Sequence, residues 1–384
     1  MPTVNSESAL YLDQPAAIDR FLDEISHVQE LALDTEGASF HRFLDRIYLL
    51  QISTRDRSAI IDPLPIGSPE KLGKLLLDRN VETVFHDADY DLRLLHQDYG
   101  WHVTNLFDTR IAAQLLGIKS FGLAALLEQF FDVKLDKKHQ RADWSMRPLT
   151  PDMLEYAAQD TRYLLQLRDQ MKSELQRRGR WHWAEEEFAR LEGTRWEAEE
   201  EMESFLRLKG ARDLTRRELA VLREVVNWRD TVAAQLDRAT FRVMGNEVLL
   251  ELARRSPRSV SELSAIKGMP KGMVERGGAD IVASVRRGME APEEELPKFP
   301  RGQRWNKDRD FDDRVGRLKV VRDQAATRLE LDPGVLCSRE KLENVARSGA
   351  KSIEDLAAVP ELRRWQIQEM GTGFLTALKS RDTP

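Results

Sequence analysis

The sequence predicts an α/β domain, a mixed sheet flanked by helices, followed by two all-helical modules. Three observations carry that expectation. Short apolar runs of strand length alternate with helix signatures in the first part of the chain, strand signals become rare from about Glu174, and two later stretches repeat one order of helices. We expect the domains at residues 1–200, including a connecting helix, then 203–290 and 305–384.

The strand runs are LALDTE, IYLLQIS, SAIIDPL and VETVFHD, each rich in apolar and β-branched residues. Ser68-Pro69-Glu70 reads as a cap, a proline at the first helical position and a first-turn acid, opening a helix through Leu77. Thr150-Pro151-Asp152 repeats that signature ahead of Tyr156 and Asp160. The acidic segment EEEFARLEGTRWEAEEEMESF has helical period and reads as the connecting helix. Beyond it, Thr215-x-x-Glu218 forms a capping box before a long amphipathic helix, and Ser259-x-x-Glu262 caps a shorter one. GMEAPEEELPKFPRGQRW breaks every period and reads as a linker. After it come helices over Phe311–Glu330 and Ser338–Ser348, then one opened by Ser352-x-x-Asp355 and a final helix, so the order recurs as in a diverged duplication.

At 384 residues, 41% hydrophobic and 32% charged, the composition is that of a globular multidomain chain. The single cysteine, Cys337, excludes an intramolecular disulfide and any multi-cysteine zinc site, so a metal must be held by oxygen or histidine. The N-terminus has no basic stretch leading into an apolar core, and no run reaches membrane-spanning length, so we expect a cytoplasmic protein that meets no membrane. The formal charge of −6 means that any surface for polyanions must be local. Two segments qualify: Lys134–Arg147 has five Lys/Arg against two Asp, and 301–322 has eight against four. Charge runs of this kind are usually solvated faces, and composition alone favours that reading for both.

Asp34 and Glu36 stand two apart at the end of an apolar strand, so both reach one face. Buried side by side they would repel unless a cation lay between them; the alternative is a strand ending in solvent at Gly37. Tyr156 and Asp160, four apart, share a helix face that also carries Met153 and Tyr163, so packing alone could explain them. Asp87, Asp89 and Asp91 crowd the start of another helix, where the helix dipole favours acids in any case. Asp108 is better explained as a helix cap than as a metal ligand.

In this order the motifs resemble ribonuclease D, the tyrosine-containing branch of the DEDD exonucleases. Asp34-Thr35-Glu36 matches the family's first motif, His86 to Leu92 with Asp91 the second, and Tyr156-Ala-Ala-Gln-Asp160 the third. FDTRIAAQLLG, GLAALLEQFFDVKLDK and DWSMRPLTPDMLEYAAQD fall between them, so the match runs from about Leu31 to Leu167. The helical stretches resemble HRDC domains, more clearly at 214–289 than at 310–378. Two residues depart from the family pattern: Gly37 stands where an aromatic is common, and Asp87 follows the histidine where a small residue is common.

The resemblance implies a ribonuclease H-like exonuclease domain and two HRDC-like domains. It implies removal of 3′-terminal nucleotides from RNA, such as tRNA precursors, with release of 5′ mononucleotides. Asp34, Glu36, Asp91 and Asp160 would hold two divalent cations, Mg²⁺ or Mn²⁺, since oxygen-only ligands select hard ions. Asp34 would bridge both, Glu36 and Asp160 would serve the water-binding metal, and Asp91 the other. Tyr156, whose free phenol titrates near pH ~10, would orient the attacking water rather than deprotonate it. For substrate contact we expect Thr35, Phe40, His86, Lys137, Arg141, Trp144 and Arg147, with Leu44 a further apolar candidate. A monomer without an obligate protein partner is expected. Two rival readings remain: a DNA 3′-5′ exonuclease of the Werner or proofreading type, and a non-catalytic nucleic-acid adaptor.

Overall fold

The computed structural model describes residues 9–136, 138–197, 204–299 and 310–379. Six strands form one mixed sheet: β1 (Leu10–Leu12), β2 (Glu30–Glu36), β3 (Leu49–Ser53), β4 (Ser58–Ile61), β5 (Glu82–Phe85) and β6 (Leu106–Asp108), in the order β1-β4-β3-β2-β5-β6. β2 runs antiparallel to β3, with Asp34 opposite Gln51 and Glu36 opposite Leu49. On its other side it runs parallel to β5, but only from Glu30 to Ala32. Leu31, Ala32 and Leu33 are all fully buried, as expected of a central strand covered on both faces. Beyond Ala32 the β5 side of β2 is open, and that gap admits a carboxylate from the following helix.

Helices α1 (Pro15–Glu24), α2 (Glu70–Leu77), α3 (Asp89–Tyr99), α4 (Thr109–Leu115), α5 (Leu123–Phe131), α6 (Pro151–Arg162), α7 (Leu164–Arg177) and α8 (Trp181–Leu191) accompany this sheet. α9 (Arg216–Gln235), α10 (Thr240–Val243), α11 (Asn246–Arg255), α12 (Val260–Ser264) and α13 (Lys271–Glu290) make the first helical module. α14 (Phe311–Leu329), α15 (Pro333–Leu336), α16 (Arg339–Ser348), α17 (Ile353–Ala357) and α18 (Arg364–Lys379) make the second. α10 and α15 both have 4 residues, α11 and α16 both 10, and α12 and α17 both 5, which supports the repeated order. The capping boxes at Thr215 and Ser352 form as the spacing predicts.

The first helical module has its own core, whereas the second shares one continuous core with the sheet domain. Trp183 of α8 stacks on Trp365 of α18 at 4.7 Å and 19°. Glu187 accepts the Trp365 indole N–H at 3.0 Å, and Glu186 accepts the Arg364 amide at 2.8 Å. Gly117 lies so close to α14 that a Cβ there would sit 2.2 Å from the Glu330 carbonyl oxygen, and its φ of +76° also calls for glycine.

Several expectations change. β1 and β6, three residues each, were too short to register as strands. Pro69 occupies the cap position of α2 rather than its first turn, and the Ser68 hydroxyl makes no hydrogen bond. The supposed connecting helix stops at Leu191, just before a turn at Glu192-Gly193. Residues 198–203 of that segment, 300–309 of the linker and basic stretch, and Lys137 lie outside the described residues. Among the described residues no helix is long and apolar enough to cross a membrane.

Candidate active site

β2 delivers Asp34 and Glu36 to one face because strand side chains alternate. α6, capped by the Thr150 side chain on the Met153 amide and begun by Pro151, crosses that end of the sheet and brings Asp160 to them. One carboxylate oxygen from each of Asp34, Glu36 and Asp160 lies within 4.8 Å of the others, and among the described residues no other such group of three possible metal ligands occurs. A larger hollow of about 740 Å³ between the α4–α5 loop and the α14–α15 region has no gathered acids of this kind.

Asp91 joins from α3. It is buried, and its Oδ1 accepts the Thr35 amide at 3.0 Å and the Thr35 hydroxyl at 2.6 Å, closing the gap left where β5 parts from β2. Its neighbours in the acidic run are held by arginines, Asp89 outside the cleft and Asp87 at its edge. Asp89 is exposed and pairs with Arg93, while Asp87 adopts a φ of 69° and pairs with Arg110, which accounts for the extra acid. Asp108 is a buried cap: it accepts the Arg110 and Ile111 amides of α4 and the Ala88 amide ahead of α3.

Burial pushes the carboxyl groups of Asp34, Glu36 and Asp91 well above the usual range, and the neighbouring acids add to it: Asp160 for Asp34, Asp34 for Glu36 and for Asp91. Asp160 is pushed up to about 7 by burial and by Asp91. Acids this costly to ionise together are suited to a multivalent cation, which would relieve the repulsion and hold all of them charged. The chemistry of the set, oxygen donors only, fits a hard divalent ion. Together with Tyr156, Tyr90 and His86 they line a cleft of about 500 Å³.

The Tyr156 ring is held against Trp144 at 6.0 Å and His139 at 5.9 Å. Its phenol is pushed up by burial, then by the charges of Asp160, Glu36 and Asp34, so it stays protonated at neutral pH. His86 Nδ1 lies 2.9 Å from the Thr109 hydroxyl, which itself donates to the Phe85 carbonyl at 3.0 Å. The hydroxyl proton is thus committed, so Nδ1 is the donor to Thr109 and Nε2 is left as an acceptor. Burial lowers His86 to about 4, so the ring is neutral at physiological pH.

The other expected substrate contacts divide. Thr35 lines the cleft but spends its hydroxyl on Asp91. Trp144 is 2% exposed and supports Tyr156 instead of meeting solvent. The Arg147 guanidinium pairs with buried Asp62 at 2.9 Å and donates to the Tyr48 and Trp144 carbonyls, a structural role that leaves it away from the cleft. Phe40 and Arg141 do not line the cleft either. The Arg141 guanidinium lies 5.2 Å from the Phe40 ring, and Phe40 meets Phe241 of α10 edge-on at 6.3 Å, at the seam with the first helical module. Leu44, 58% exposed, sits in the same β2–β3 loop. Tyr90 carries no local sequence signal, since its place in the cleft depends on a partner 45 residues away.

Residues 11–176 match the family described as 3′-5′ exonuclease, and 218–285 and 311–378 each match the HRDC domain. Ribonuclease D of Nitrobacter hamburgensis is 30% identical over 352 residues, which cover 91% of this chain and 89% of that relative. A solved protein from Bifidobacterium adolescentis superposes with a TM-score of 0.83 at 25% identity, over 99% of this chain and 98% of the other. The RNase D of Escherichia coli, an exoribonuclease involved in structured RNA processing, superposes with a TM-score of 0.74 at 25% identity, over 97% and 99%. This chain therefore belongs to the ribonuclease D family of 3′-5′ exoribonucleases, its exonuclease domain followed by two HRDC domains.

Proposed function

We propose that this chain shortens RNA from free 3′ ends, tRNA precursors among them, by hydrolysis at two divalent cations, Mg²⁺ or Mn²⁺, held by Asp34, Glu36, Asp91 and Asp160. The observation that carries the reading is the convergence of these acids in one cleft, with their ionisation suppressed by burial and by one another. Bound cations would supply an activated water and neutralise charge on the leaving 3′ oxygen.

The chain's own residues do the rest. Asp34 interacts by charge with Asp160, Glu36 and Asp91 alike and would be the shared ligand. Glu36 and Asp160 would hold one cation with it and Asp91 the other, its second oxygen left for the task by Thr35's hold on the first. Tyr156, protonated and fixed by Trp144 and His139, orients the attacking water by hydrogen bonding. His86, neutral, accepts from a hydroxyl more readily than it contacts a phosphate.

The test is a 5′-labelled RNA with a short single-stranded 3′ tail, incubated with Mg²⁺, Mn²⁺ or chelator beside Asp34→Asn and a matched DNA. The expected result is a ladder shortening from the 3′ end, lost with chelator and in Asp34→Asn, and faster on RNA. Binding without shortening under either metal would overturn the reading.

A further inference from the structure

The floor of the cleft is acidic, yet one wall is aromatic. Tyr90, one residue ahead of Asp91 on α3, lines the same cleft as Asp34, Glu36 and Asp160 and keeps 43% of its surface exposed. Its hydroxyl is tied down: it donates to Asp45 Oδ2 at 2.6 Å, and the other oxygen of Asp45 accepts the Ala38 amide at 3.0 Å. The hydroxyl also passes directly over Gly37, where a Cβ would lie 2.1 Å from it. Any side chain at 37 would therefore force the Tyr90 hydroxyl and its Asp45 partner to shift, and the ring is tethered at both ends, by α3 and by the β2–β3 loop.

We propose that Tyr90 is the stacking wall for the base of the RNA's 3′-terminal nucleotide, latched in place by Asp45 and admitted by Gly37; this rests on the reading above that RNA 3′ ends enter this cleft. The cleft volume of about 500 Å³ suits a ligand of nucleotide size. Of its two tyrosines, Tyr156 is packed against Trp144 and His139, whereas Tyr90 is exposed. A ring already immobilised loses little freedom on binding. Its polar atom is already spent on Asp45, so it reads no base edge and accepts any base with a π face, which suits an enzyme that meets each nucleotide in turn.

The experiment compares RNAs that differ only in a 3′-terminal adenine or an abasic 3′ end, and follows a 3′-terminal 2-aminopurine whose fluorescence falls on stacking, read in chelator so that nothing is cut. The wild type should favour the adenine end by roughly 5- to 150-fold in kcat/KM, the range of one base–aromatic stack. Tyr90→Ala, and Tyr90→Leu, which keeps apolar packing, should reduce that ratio to about twofold and abolish the quenching, while Tyr90→Phe keeps most of both. A wild-type ratio and wild-type quenching in both variants would overturn the proposal. Failure of the nuclease reading would look different: no metal-dependent shortening by the wild type, with the quenching still reporting on Tyr90.

Discussion

Replacing Thr35 by valine removes one hydroxyl and keeps the shape of a buried strand residue. The hydroxyl is one of two donors to Asp91 Oδ1, the shorter at 2.6 Å; the amide at 3.0 Å remains. A hydrogen bond to a carboxylate contributes about 1.5–3 kcal/mol, and loss of such a support to a metal ligand lowers metal affinity about 10- to 100-fold. Thr35→Val should therefore raise the Mg²⁺ concentration for half-maximal RNA shortening by about 10- to 100-fold, with activity largely restored at saturating metal. A direct substrate contact would instead raise KM for RNA at every metal concentration. A folded variant that titrates with Mg²⁺ like the wild type would rule out this role for Thr35.

Further outcomes follow from the same site. In metal-free protein the acids bind protons that the unfolded chain, titrating near pH ~4, releases. That contribution is complete below the unfolded values and is lost as pH rises, through about 7 for Asp160, so Tm in chelator should fall between pH 5.5 and pH 8, and Mg²⁺ should flatten the slope; equal slopes with and without metal would contradict this. Tyr156→Phe should lose much of its turnover while binding metal as before, read by activity beside calorimetric Mn²⁺ titration; unchanged turnover would remove the residue from the mechanism. Arg147→Ala leaves Asp62, 3% exposed, without its cation and should cost about 3 kcal/mol in denaturant unfolding. Weakened RNA binding at undiminished stability would restore Arg147 to the phosphates.

Much of the site was legible because it obeys local periods. Asp34 and Glu36 follow the two-residue repeat of a strand, Tyr156 and Asp160 one turn of a helix, and Thr150-Pro151 marks that helix's start. The choice among Asp87, Asp89 and Asp91 was not local. It depends on Thr35, 56 residues from Asp91, and on Arg93 and Arg110 pairing with the other two. Arg147 misled for a related reason: a basic run shows its charge but not Asp62, 85 residues away, that consumes it. Gly37 could be seen as a departure, but not that Tyr90 fills the space it vacates. In the fold, helices with caps announced themselves, whereas β1 and β6 exist only through pairing with β4 and β5.

Two cations held at once by these carboxylates, as proposed, would be visible by diffraction. Crystals grown with Mn²⁺ and a non-hydrolysable RNA 3′ end, measured near the manganese absorption edge, test this directly. Two anomalous peaks about 3.5–4 Å apart are expected, with Asp34 touching both and Asp91 nearer the one away from Asp160. A single peak, or peaks that leave Asp34 and Asp91 unliganded, would contradict the proposal.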